Sequence, residues 1–246
     1  LMPAFSILAQ AAQTFKAGDV DQFVTAYLER NGLPGASIVI VKDWKIVYEK
    51  GYGHDSEGEP ITEKSLMRIG SVSKSFTAFA VLQLVDDGKV DLDEPVVKYL
   101  PELQPDDPRW KEVTVRQLLN HTSGVPNPII IPPASNLKTG AERINDWELQ
   151  SDPGEKDFYS NANYWALAIL VERVSEMEFS KYLKQKIFSP LRMNDSLTSV
   201  NSGDFVQGLP KGYVTAYGTA MPWTELEQMT LGSGGIVTTA SDMGKW

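Results

Sequence analysis

The sequence predicts an α+β fold: an antiparallel sheet flanked by helices, with a mostly helical lobe inserted between its strands. Three observations carry this expectation. Two runs of branched residues, 36–41 and 45–49, are separated by a tight turn; a long helical stretch starts at Ser73; and a further strand-like run comes only at 234–239. Hairpin, then helices, then a returning strand is not the alternating strand–helix order of a parallel sheet. The expected division is one lobe from 1–62 with 206–246, and a helical lobe over 63–205.

Element by element, Asp19 followed by Gln22 reads as a helix start, and Asn31-Gly32 before Pro34 as its stop, giving a helix over about 19–31. Asp43-Trp44 joins the two strands of the hairpin, although Trp44 is a poor turn residue and leaves the turn type open. From Ser73 to Asp86 the sequence is apolar on nearly every side, as in a helix at the buried centre of its domain. The acidic stretch 86–95 lacks the glycine and terminal glutamate of a calcium loop and reads as a solvated helix end. A short helix follows at 113–119, then a Pro-rich loop over 124–135 and further helices at 163–176 and 179–188. Ser241 is expected to cap a last helix.

Composition removes several classes of function. A chain of 246 residues, 42% hydrophobic, can bury a sizeable core. Its 32 acidic and 23 basic residues give a net charge of −9, which repels phosphate backbones, so no nucleic-acid partner is expected. The absence of cysteine excludes disulfides and thiolate metal sites, and it agrees with an extracytoplasmic location. Residues 1–12 are apolar and end in small residues, which fits either the tail of a secretory leader or an ordinary N-terminal helix. No run of about 18 apolar residues provides a membrane span.

The chemistry centres on Ser71 and Lys74. Residues three apart share a helix face, so the lysine is expected beside the serine hydroxyl; neither Ser73 nor Ser75 has such a partner. A serine is a weak nucleophile until a base takes its proton, and a lysine can serve if burial pushes it toward neutrality. A helix start adds positive potential and free backbone N–H groups for an oxyanion. A lysine entering an apolar helix needs a polar partner, and Tyr159-Ser160-Asn161 is the candidate. A phenol there serves as base toward the serine and acid toward the leaving group, while Asn161 offers its amide to Lys74 and to a substrate carbonyl. No metal and no organic cofactor is expected; the partner is a small-molecule or peptide substrate. Of the two histidines, His121 reads as structural and His54 as solvated, and no G-x-S-x-G elbow supports a Ser-His-Asp arrangement.

Five segments in order resemble the class C β-lactamase group, which includes penicillin-binding proteins, DD-peptidases and esterases. They are RIGSVSKSFTA from 68, GKVDLDEPVVKYLP from 88, TVRQLLNHTSGVP from 114, PGEKDFYSNANY from 153 and GSGGIVTTASDM from 232. The resemblance implies Ser71 as nucleophile, Lys74 as activating partner, Tyr159 as general base and acid, and Asn161 as a substrate-positioning amide. It also implies a third motif, Lys-Thr-Gly or His-x-Gly, on a later strand. Lys138-Thr139-Gly140 precedes Tyr159 beside the Pro-rich loop and reads as coincidence. A C-terminal segment beyond Trp246 is therefore expected to complete the sheet and the site. Hydrolysis of amides, lactams or esters, an esterase, and a non-catalytic peptidoglycan sensor remain open readings.

Overall fold

A computed structural model describes residues 16–101, 103, 105–127, 143–199, 206–210, 212–216, 219–223 and 230–246. Residues 1–12 and Lys138-Thr139-Gly140 lie outside the described residues.

Helix α1 (Ala17–Asn31) starts earlier than Asp19. Lys16 occupies the cap position without a side-chain bond, and Asp19 falls in the first turn, where its carboxylate meets the helix dipole. Strands β1 (Gly35–Lys42) and β2 (Lys45–Gly53) form the expected hairpin. Asp43 and Trp44 both adopt positive φ, 51° and 62°, the backbone of a type I′ turn, and the Trp44 ring stands in solvent. Tyr48, Lys50 and Tyr52 alternate onto one face of β2 and converge on Asp21 Oδ1 of α1, at 2.7, 2.6 and 2.8 Å. Lys50 and the two phenols hold that carboxyl down at about 2.

The last strand does not pair with this hairpin. Strand β7 (Ile236–Thr238) runs antiparallel between β3 (Met67–Arg68) and β4 (Leu197–Thr198), whereas β5 (Gly212–Ala216) and β6 (Thr219–Trp223), among the described residues, pair only with each other. The final helix, α6 (Ala240–Met243), is capped by Thr239 rather than Ser241. Thr239 Oγ1 accepts from Asp242 N, while the Ser241 hydroxyl donates to Glu49 on the hairpin. Gly244 packs that end of the chain on the hairpin face opposite Tyr48; a Cβ there would lie 2.7 Å from Val39 and 2.8 Å from Ile46.

The core lies among α2 (Ser73–Asp86), α3 (Val115–Leu119), α4 (Asn161–Ser175) and α5 (Phe179–Leu183), the last running on into a π-turn over Lys184–Phe188. The central helix is α4 and not α2. Every residue from Ala162 to Val171 is buried, whereas α2 buries Phe76, Ala80, Val81 and Leu84 and leaves Phe79 and Leu82 exposed. An all-apolar sequence reports low polarity, not the number of neighbours a helix acquires. Among the described residues no helix is long and apolar enough to cross a membrane, and no three potential metal ligands gather.

Asp107 ties the segment after α2 to the approach to α4. Its buried carboxylate accepts from Arg109 Nη2 at 2.6 Å and from Leu149 N at 2.9 Å, and Arg109 reaches on to Leu149 O and Asp152. The guanidinium holds the Asp107 carboxyl well below the usual range. Asp107→Ala leaves the buried Leu149 N–H without its acceptor and is expected to cost about 2–3 kcal/mol in urea unfolding. The wild-type advantage should be full above the unfolded-chain value of about 3.9 and shrink as pH falls below it toward the depressed folded value.

Candidate active site

Ser71 sits in a single 3₁₀ turn, Gly70–Val72, between β3 and α2, just before the helix, which starts at Ser73 as expected. Gly70 has φ 50°, which lets the chain leave the strand and enter the turn. Lys74 is the second residue of α2, so the turn and the helix start together keep the two side chains on one face. The amine lies 3.3 Å from Ser71 Oγ.

Lys74 is only 7% exposed. Its Nζ donates to Asn161 Oδ1 at 2.8 Å and to the Ser233 carbonyl at 2.7 Å, and it lies 4.9 Å from the Tyr159 ring centre. Burial pushes the amine below its ordinary range, and the neighbouring Tyr159 partly opposes this. Two N–H groups are thus committed to fixed acceptors, which in the neutral amine leaves the lone pair for the Ser71 hydroxyl.

Tyr159 Oη lies 2.7 Å from Ser71 Oγ and donates to Asn161 Oδ1 at 3.3 Å. Its backbone is fixed on both sides by His121. Phe158 N–H donates to the His121 carbonyl at 2.8 Å, and Ser160 N–H donates to His121 Nδ1 at 3.2 Å. The His121 and Tyr159 ring centres are 4.6 Å apart. Burial, with the charge of Lys74, lowers the His121 pKa, which favours the neutral ring whose Nδ1 accepts the Ser160 N–H. The expected structural role of His121 is therefore specific: it orients Tyr159. His54 is exposed, as expected.

Helix α4 begins at Asn161, two residues before the expected Asn163, because Ser160 is its cap. Ser160 Oγ accepts from Ala162 N and donates to Pro126 O. Asn161 N donates to Asn127 Oδ1 at 3.0 Å. With Asn161 Oδ1 taken by Lys74, the Nδ2 group is the part of that amide available to a ligand. The four residues picked out by the sequence, Ser71, Lys74, Tyr159 and Asn161, therefore meet in one cluster. The Ser233 carbonyl was missed: every residue carries a carbonyl, so only the fold can single one out.

Residues 20–246 match the family described as Beta-lactamase. The chain is 33% identical over 184 residues to "Protein flp" of Staphylococcus aureus strain N315, covering 71% of this chain and 36% of that protein. It is 29% identical over 231 residues to "Beta-lactamase" of Yersinia enterocolitica, covering 91% of this chain and 56% of the relative. The chain thus spans between about a third and just over half the length of these relatives. Among solved structures, the octameric penicillin-binding protein homologue from Pyrococcus abyssi superposes with a TM-score of 0.77 at 30% identity, covering 94% of this chain and 55% of that one. FmtA from Staphylococcus aureus superposes with a TM-score of 0.75 at 26% identity, covering 94% of this chain and 66% of that one. The turn that carries Ser71 at the head of α2, faced by the capped start of α4, is thus set in a chain that belongs to the Beta-lactamase family.

Proposed function

We propose that the chain is the serine-acylating part of a hydrolase acting on amide, lactam or ester carbonyls, most akin to a penicillin-binding protein or D-alanyl peptidase. The observation that carries this reading is the placement of Ser71 Oγ between Tyr159 Oη at 2.7 Å and a buried, depressed Lys74 amine at 3.3 Å. Ser71 Oγ attacks the carbonyl carbon and its proton passes to the Lys74–Tyr159 pair. The carbonyl oxygen becomes an oxyanion beside the Ser71 N–H. As the tetrahedral species collapses, Tyr159 returns the proton to the departing nitrogen or oxygen, leaving an ester on Ser71. Water, deprotonated by the same pair, then releases the acid. Asn161 Nδ2 binds the substrate carbonyl next to the scissile bond. The second oxyanion donor is the part that the family resemblance assigns to a Lys-Thr-Gly or His-x-Gly strand. A cell-wall peptide substrate would place the reaction outside the cytoplasmic membrane.

Incubation of the full-length protein with a fluorescent penicillin and, separately, a fluorophosphonate tests this. A mass adduct on the peptide containing Ser71 is expected from both. Turnover of simple esters without a penicillin adduct would favour an esterase on the same scaffold. Labelling of Ser71 by neither reagent would overturn the acyl-enzyme reading and leave a binding role.

A further inference from the structure

Lys74 has no carboxylate partner among the described ion pairs; what faces it is the Tyr159 ring, the Tyr164 ring with its centre 5.6 Å away, and the charge-coupled His121. Its proton affinity therefore depends on neutral acceptors, and the shortest of its contacts is the Ser233 carbonyl. That carbonyl belongs to a turn, Thr230–Gly234, held in place from both neighbouring helices. From α2, the Thr77 hydroxyl donates to Gly232 O at 2.7 Å and the Ser73 hydroxyl accepts from Ile236 N at 3.1 Å. From α4, the Trp165 indole donates to Ser233 Oγ at 2.9 Å, and that hydroxyl in turn donates to Thr230 O at 3.1 Å. Both Trp165 and Ser233 are buried. The turn passes so close to α4 that a Cβ on Gly232, at φ 83°, would lie 2.5 Å from Tyr164 O.

We propose that Trp165 and Ser233 are positioning residues: the indole–hydroxyl–Thr230 chain aims the Ser233 carbonyl at Lys74 and thereby sets the proton affinity of that amine. The physical argument is that a carbonyl aligned on an ammonium stabilises the charged form, and a carbonyl free to swing away does so less. The indole N–H has no other acceptor in this chain of contacts, and Ser233 Oγ receives the bond while giving its own proton to Thr230, so its orientation is fixed from two sides. The inference extends the proposed acylation chemistry, but its first test does not depend on it.

The test is a pH titration of Lys74, followed by NMR of ¹³C-labelled lysine side chains in the full-length protein and assigned by loss of the signal in Lys74→Arg. Trp165→Phe and Ser233→Ala should each lower the Lys74 midpoint by about one pH unit, the scale of a weakened hydrogen bond to a charged group. Because both act through one bond, Trp165→Phe should shift the midpoint no further when Ser233 is already Ala. Thermal melting establishes that the variants fold, and Ser233→Thr, which retains the hydroxyl, is expected to restore the midpoint and is the fallback where Ser233→Ala does not fold. Unchanged midpoints in folded single variants overturn the proposal, as do fully additive shifts. A shifted midpoint in a protein that never labels at Ser71 would retain this inference and remove the acyl-enzyme reading; labelling with an unmoved midpoint would do the reverse.

Discussion

Ser71→Ala is expected to reduce ester or lactam turnover by ~10⁴-fold or more, to the level left by binding alone, because no other group takes over the covalent step. Ser73, the nearest serine along the chain, is buried, and its hydroxyl is occupied by Ile236 N. Stability should barely move. Ser71 is exposed, and the bonds lost are one to the half-exposed Tyr159 and a long one from Lys74, whose amine keeps its two shorter acceptors, so a change within about 0.5 kcal/mol is expected in chemical unfolding. Rate and stability therefore separate at this position. A Ser71→Ala variant that keeps more than a hundredth of wild-type turnover would show that acyl transfer runs through a different nucleophile.

Lys74→Ala carries the second large effect, a fall in acylation of ~10³- to 10⁴-fold measured as the second-order rate of penicillin adduct formation. The sign of the accompanying pH dependence follows from the burial of the amine. Burial disfavours the ammonium, so Lys74 releases its proton below the ordinary lysine value of about 10.4. On the proposed mechanism the neutral amine accepts the Ser71 proton, so wild-type acylation should rise with pH through that depressed midpoint and level off above it. In Lys74→Ala the rise should vanish, leaving a flat, low rate over the same range. An unaltered rise in the variant would assign the titration to another group. The alanine also leaves the buried Ser233 carbonyl without the amine and Asn161 Oδ1 with only its longer bond from Tyr159, so the melting temperature should be recorded beside the rate.

Much of the site was legible in the sequence because its geometry is local. Ser71 and Lys74 are three residues apart, and a turn leading into a helix keeps such residues on one face whichever of the two holds the serine. The same holds for Tyr159 and Asn161, which flank the cap residue Ser160. Helix boundaries were less legible. Asp19 and Ser241 both look like caps, yet the chain begins those helices elsewhere, since the cap residue itself must have extended backbone, as Lys16 and Thr239 do. Trp44 reads as a poor turn residue but costs little at a hairpin tip where its side chain has no neighbours to avoid.

The α+β class, the hairpin and the helices were readable in the sequence, and so was the nearness of Ser71 to Lys74 and of Tyr159 to Asn161, because periodicity and short spacings are properties of the local backbone. Which helix is central came from packing alone, since burial depends on neighbours that no local pattern records; α4 took the place that the apolar α2 was expected to hold. The surroundings of the Lys74 amine likewise come from long-range packing. The Ser233 carbonyl lies 159 residues away along the chain, and its selection from all other carbonyls rests on a turn clamped between two helices by Thr77 and Trp165.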